Sequence, residues 1–117
     1  MKVYTFKFYS SKYNIGLAKG NYSNNGTLAI LMYLTTPKGK IKDEFGNLTV
    51  NIGESNFMAN ENDTQFINTN HLGSEITNWL IENNIAKPTG LIGHSGYCSY
   101  PLFKFNKQAL DEMDTLK

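Results

Sequence analysis

Cys98 and His94 stand four residues apart. A cysteine becomes a nucleophile when an imidazole and a third, orienting group lie beside its sulfur. On a strand or loop that spacing does not bring the two side chains together, and no local cysteine-hydrolase signature surrounds Cys98. A small Cys/His enzyme is therefore an alternative reading. The simpler one is a buried cysteine among aromatics. His71, His94 and Cys98 also lack the paired ligand spacing of structural zinc, so no metal is expected. The stretch Gly90-Leu-Ile-Gly93-His-Ser-Gly96 has glycines without the lysine that follows them in a phosphate-binding loop. These absences point to a binding protein rather than an enzyme, with no cofactor and no small-molecule substrate.

Binding then has to come from charge and aromatic side chains. All 11 basic residues of the 117-residue chain are lysines. Without arginine there is no planar fork for bidentate recognition of phosphate or guanine. The charges are segregated along the chain. Residues 1–42 carry seven lysines and no acid, residues 43–86 seven acids and no base, and residues 87–117 a net +1. The plain reading is that the two halves pack together and their fields partly cancel. The functional reading is a bipolar surface, with a basic pole steering toward nucleic acid and an acidic pole toward a basic protein groove. Candidate contact residues on the basic side are Lys7, Lys12, Lys19 and Tyr13. On the acidic side they are Glu44, Glu54, Glu61 and Asp63. The Gly90–Tyr97 segment, with His94 and Tyr97, is a third candidate surface.

The N-terminal segment interleaves Tyr4, Phe6, Phe8, Tyr9, Tyr13 and Tyr22 with Lys2, Lys7, Lys12 and Lys19. Aromatics on a basic sheet can stack single-stranded bases. The competing assignment puts Tyr4, Phe6 and Phe8 in the core with the lysines on the wet face. Trp79, at helical spacing from Ile76 and Leu80, reads as core.

Several elements must position these residues. Val3–Tyr9 alternates and reads as a strand. Ser10–Gly26 reads as a loop or irregular strand pair. Thr27–Leu34 is a near-continuous apolar strand suited to a central position, and Leu48–Ile52 alternates. A helix carrying Ile76, Trp79 and Leu80 starts at Asn70 or Ser74 and ends near Asn83-Asn84. Lys87-Pro-Thr-Gly90 opens a Gly-rich loop to Gly96. Tyr97–Phe105 is a last strand, which Pro101 places at an edge or bulge. Asn106 caps a short helix from Lys107 to about Thr115. The expectation is an α+β fold: one domain over residues 1–117, with an antiparallel sheet of about five strands, one main helix and a short C-terminal helix. A single cysteine suits a reducing compartment. The N-terminus lacks the apolar core of a signal peptide, and no run approaches the roughly 20 apolar residues that span a bilayer. A cytoplasmic protein without membrane contact is expected.

Ser95-Gly-Tyr-Cys-Ser-Tyr-Pro-Leu102, within the longer stretch Ile85–Phe105, is similar to a signature of small, functionally uncharacterised proteins. Leu48-Thr-Val-Asn51, Thr69-Asn70 and Trp79-Leu-Ile-Glu-Asn-Asn84 extend the resemblance over most of residues 27–105. Phages, plasmids and conjugative elements of Firmicutes and Bacteroidetes carry that family. Its usual arginines near the Pro-Thr-Gly loop are replaced here by Leu91 and His94. The resemblance implies a mobile-element setting in a host bacterial cell. Small proteins of that setting often bind host machinery, so an anti-CRISPR-type inhibitor is implied. Its partner would be a bacterial protein such as a Cas9-type nuclease, its guide RNA, or both. The alternative is a freestanding RNA or single-stranded DNA binding module.

Overall fold

The computed structural model describes residues 1–53, 59 and 61–116. The strands are β1 (Tyr4–Phe8), β2 (Ser11–Asn21), β3 (Leu28–Thr35), β4 (Ile41–Asn47), β5 (Thr49–Val50), β6 (Thr64–Ile67), β7 (Ala86–Ser95), β8 (Cys98–Phe105) and β9 (Asp114–Thr115). The helices are α1 (Thr69–Leu72), α2 (Glu75–Glu82) and α3 (Lys107–Asp111). Strands take 52% of the described residues and helices 16%. This corrects the expected α+β fold with one sheet and a main helix. Among the described residues there are two sheets, antiparallel except for the short β2–β9 pairing, and three short helices.

The first sheet runs β1-β2-β3-β4, and β9 adds two residues parallel to β2. The second runs β5-β6-β8-β7. Alternation explains β1: Tyr4 and Phe6 are buried while Thr5 and Lys7 face water. The same face continues through Ile15 and Leu17 of β2 and Leu28, Ile30 and Met32 of β3. This layer meets Ile67, Phe103 and Phe105 of the second sheet, with Ile76, Trp79 and Leu80 of α2 closing one side. The Trp79 indole N–H donates to the Thr5 carbonyl at 2.8 Å, tying α2 to β1. A smaller cluster of Ile52, Ala59, Phe66 and Leu102 covers the other face of the second sheet.

Residues 48–49 stitch the sheets together. The Leu48 N–H donates to the Ile30 carbonyl, and the Ile30 N–H donates to Thr49 Oγ1 at 3.0 Å. The buried Gln65 amide donates to the Leu28 carbonyl at 2.7 Å and accepts from the Phe66 N–H. Both polar atoms of that side chain are thereby used within the core, as burial demands.

The undercounted strands have a common cause. β2 and β7 are rich in glycine, and glycine reads as loop. Yet a Cβ on Gly16 would run into the Met1 sulfur, and one on Gly93 would lie 2.5 Å from the Phe66 ring. These glycines make room for a crossing side chain within regular strands. In β7 the three residues Thr89–Leu91 form a bulge between the pairs Pro88↔Phe103 and Ile92↔Pro101. The Thr89 hydroxyl donates to the Leu102 carbonyl at 2.9 Å and accepts from the Leu91 N–H, replacing ladder bonds. Pro101 lies on the internal strand β8, not on an edge strand. Pairing with β6 stops at Leu102, so Pro101 has a strand neighbour on one side only.

The helix readings hold in outline. Ile76, Trp79 and Leu80 are buried, Asn84 takes a left-handed φ of 56° after α2, and Asn106 accepts from the Gln108 N–H to cap α3. Helix α3 ends at Asp111 rather than near Thr115, because residues 114–115 pair with β2.

Candidate functional site

Two neighbouring turns build one end of the first sheet. Tyr9-Ser10 closes β1 onto β2, since Phe8 pairs with Ser11. Residues 36–40 connect β3 to β4. β2 and β3 are antiparallel with Ile15 opposite Leu34, so both turns reach the same end. The topology brings Lys7, Lys12, Lys38, Lys40 and Lys42 toward this end, where Asp43 follows Lys42 on β4, and all five lysines are exposed. Lys7 stands directly across from Lys12. Like charges in register repel, so the fold tolerates an unfavourable pair here. Among the described residues the ion pairs use Lys2, Lys104 and Lys107, and none of these five. The β3–β4 turn is nonetheless ordered: the Lys40 N–H donates to Thr36 Oγ1 at 3.0 Å and the Gly39 N–H to the Thr36 carbonyl.

Aromatic side chains border the same end. Phe8 lies 5.5 Å from Phe45 and Tyr13 5.4 Å from Phe45, centroid to centroid, and both are half-buried. Tyr9 differs from them. It is 85% exposed, its ring sits 4.6 Å from Phe8, and its backbone φ is 56°. A bulky residue in that region is an outlier at a position that favours glycine. Sequence reasoning counts Tyr9 among the aromatics but not among the contact residues. The signal for it is a bulky side chain inside a two-residue turn.

The structure separates several candidates that the sequence groups. Lys19 shares the core-side face of β2 with Ile15 and Leu17, whereas Lys12 lies on the opposite face. Tyr13 packs on Phe45 at the core margin and is not an open stacking platform. Glu44 is on the edge strand β4. Glu61 and Asp63 precede β6, where Lys104 bridges them at 3.3 and 3.7 Å. Hydrogen bonding to Glu61, then the Asp63 charge, raises the Lys104 pKa. Glu54 lies outside the described residues. The acidic set among the described residues therefore makes no single pole.

The Gly90–Tyr97 segment lies on the β7–β8 hairpin rather than in a loop. Gly96, with φ 61°, and Tyr97 make its two-residue turn. His94 pairs with Ser99, and its Nδ1 lies 2.9 Å from Ser99 Oγ. Cys98 pairs with Ser95 in the adjacent register position, so strand alternation puts it on the face away from His94. The two do not form a catalytic pair in this arrangement. Leu91, Ile92 and Tyr97 are exposed, and no residue from Pro88 to Phe103 carries a formal charge with histidine neutral.

A cleft of about 450 Å³ lies beside Ile81, Asn84, Lys87, Lys104 and Lys107. Two of its three lysines are already engaged: Asp63 and Glu61 hold Lys104, and Asp111 holds Lys107 at 3.0 Å, while Lys87 is in no ion pair among the described residues. Among the described residues no group of three His, Cys, Asp or Glu side chains is placed to hold a metal ion. No helix there is long and apolar enough to cross a membrane.

Residues 16–116 match the model of a family described as a domain of unknown function, DUF4313. The chain belongs to that family. No curated protein and no solved structure matches it. The family span begins within β2 and takes in the β7–β8 hairpin, while β1 and the Tyr9-Ser10 turn precede it.

Proposed function

We propose that the protein works by binding and that its lysine-rich end contacts nucleic acid. The observation that carries this reading is the set of five exposed lysines in or beside two turns at one end of the first sheet, none paired with a carboxylate among the described residues. Unpaired lysines gain from a phosphate backbone because binding releases its condensed counterions. The ion pairs of Glu61 and Asp63 with Lys104 weaken the opposite idea, an acidic surface that fills a basic protein channel.

The specific form of the proposal is inhibition of a bacterial defence nuclease of Cas9 type, with the lysine end on its guide RNA. It rests on the similarity of residues 27–105 to proteins of phages and conjugative elements. The test is recovery of tagged protein from a lysate that carries such a nuclease with its guide, with and without ribonuclease. Recovery of the nuclease only while RNA is intact supports contact through RNA. Recovery in both arms moves the contact to protein. Recovery in neither removes the inhibitor reading.

A further inference from the structure

We infer that the ligand of the lysine-rich end is single-stranded nucleic acid, and that Tyr9 is the residue that selects single strands over duplex. This rests on the proposal that the lysines contact nucleic acid, and it adds a requirement for unpaired bases. Lysines alone discriminate poorly, because duplex and single strand both present phosphates. Discrimination needs a surface for the face of a base, which a duplex hides within its stack.

Tyr9 meets that requirement in three ways. First, the residue is 85% exposed, whereas Tyr4 and Phe6 are buried and Phe8, Tyr13 and Phe45 are half-buried. Second, the ring is supported: it lies 4.6 Å from Phe8, which stacks on Phe6 at 5.8 Å and meets Phe45 edge-on at 5.5 Å. A ring backed by a chain of packed aromatics loses little freedom when a base lands on it. Third, the backbone is strained for this side chain. At φ 56° a glycine would be free and a tyrosine is not. Strain of this kind persists where the side chain has a use. Lys7 and Lys12 lie at the same hairpin end on the face opposite Phe8, so the phosphates of a strand that continues past the stacked base around this end reach ammonium groups.

Tyr97 provides an internal control. It too is fully exposed in a two-residue turn, but its hairpin carries no charge between Pro88 and Phe103. Stacking without lysines has nothing to hold the backbone.

The experiment measures binding by fluorescence anisotropy at low salt. The probes are a labelled uridine oligomer, a thymidine oligomer of the same length and a DNA duplex of that length. The proteins are wild type, Tyr9→Phe, Tyr9→Leu, Tyr9→Gly and Tyr97→Leu, each checked for an unchanged melting transition. The expected result is tighter binding of the single strands than of the duplex. Tyr9→Leu and Tyr9→Gly weaken single-strand binding roughly fivefold or more. In both the duplex value stays put, and Tyr9→Phe and Tyr97→Leu match wild type. Comparing uridine with thymidine shows whether the strand is RNA or DNA, and either preference supports the inference. Equal or tighter binding of duplex, or indifference to Tyr9→Leu, overturns the role of Tyr9 while leaving the lysine contact standing. Absence of binding to every probe overturns both.

Discussion

The molecule contains two hairpins with the same kind of turn and opposite surroundings. Tyr9-Ser10 and Gly96-Tyr97 are both two-residue turns whose first residue has a positive φ, 56° and 61°. Each exposes a tyrosine. The β7–β8 turn uses glycine at the strained position, as sterics prefer, and its strands are free of formal charge from Pro88 to Phe103. The β1–β2 turn puts tyrosine there and brackets it with lysines in register. At its turn the β7–β8 hairpin follows the steric rule. The other hairpin departs from the rules of stability twice, with a strained aromatic and a like-charge pair. Local departures that nothing nearby compensates are where a function is best sought. The family match adds a further contrast, since it includes the compliant hairpin and begins after the Tyr9-Ser10 turn.

Substitutions that exchange the properties of the two hairpins sharpen this comparison. The largest effect is expected for Gly93→Ala in β7. The new methyl would fall 2.5 Å from the Phe66 ring, and overpacking of this sort costs about 1–3 kcal/mol. Thermal unfolding should show the destabilisation, and an unchanged transition would mean that Phe66 can move aside. Next come the turns. Gly96→Ala forces a side chain into positive φ and should cost about 1 kcal/mol, while Tyr9→Gly removes such strain and should be neutral or stabilising. A marked fall in stability in Tyr9→Gly would assign Tyr9 a packing role on Phe8 instead. A smaller change is expected for Lys7→Gln. Relief of its repulsion with Lys12 should raise stability by a few tenths of a kcal/mol in chemical denaturation, with the gain shrinking as salt is added. The smallest belongs to Ser99→Ala, which removes the exposed hydrogen bond to His94 and should shift stability by no more than about 0.5 kcal/mol.

Some of this architecture is legible in the sequence, and the rest is hidden for identifiable reasons. Alternation in Val3–Tyr9 sorts Tyr4 and Phe6 from Lys7 correctly, because one face of β1 is buried and the other wet. The spacing of Ile76, Trp79 and Leu80 likewise marks the buried face of α2. β2 reads as a loop or irregular strand pair and β7 as a loop because Gly16 and Gly93 answer to Met1 and Phe66, side chains distant in sequence. Counting those strands turns one sheet with a helix into two sheets. The charge blocks mislead in a similar way. Lys104, from the third block, folds onto Glu61 and Asp63, and Lys2, from the first, reaches Glu112 at 3.3 Å. The acidic pole is thereby divided. Lys7, Lys12, Lys38, Lys40 and Lys42 keep the basic pole because a strand meander brings two turns together. Lys19 leaves that set because it lies toward the opposite end of β2 and on the other face.

If these lysines form one phosphate-binding surface, the salt dependence of binding shows it most directly. Affinity for a uridine oligomer is measured across a salt series for wild type, Lys7→Gln/Lys12→Gln and Lys87→Gln. The account predicts a steep inverse dependence on salt in wild type. The double variant should bind more weakly, with a logarithmic slope shallower by about 1.4, or about 0.7 for each phosphate no longer neutralised. Lys87→Gln, beside the cleft on the second sheet, should leave the slope unaltered. A wild-type affinity insensitive to salt, or the same slope in the double variant, would contradict it.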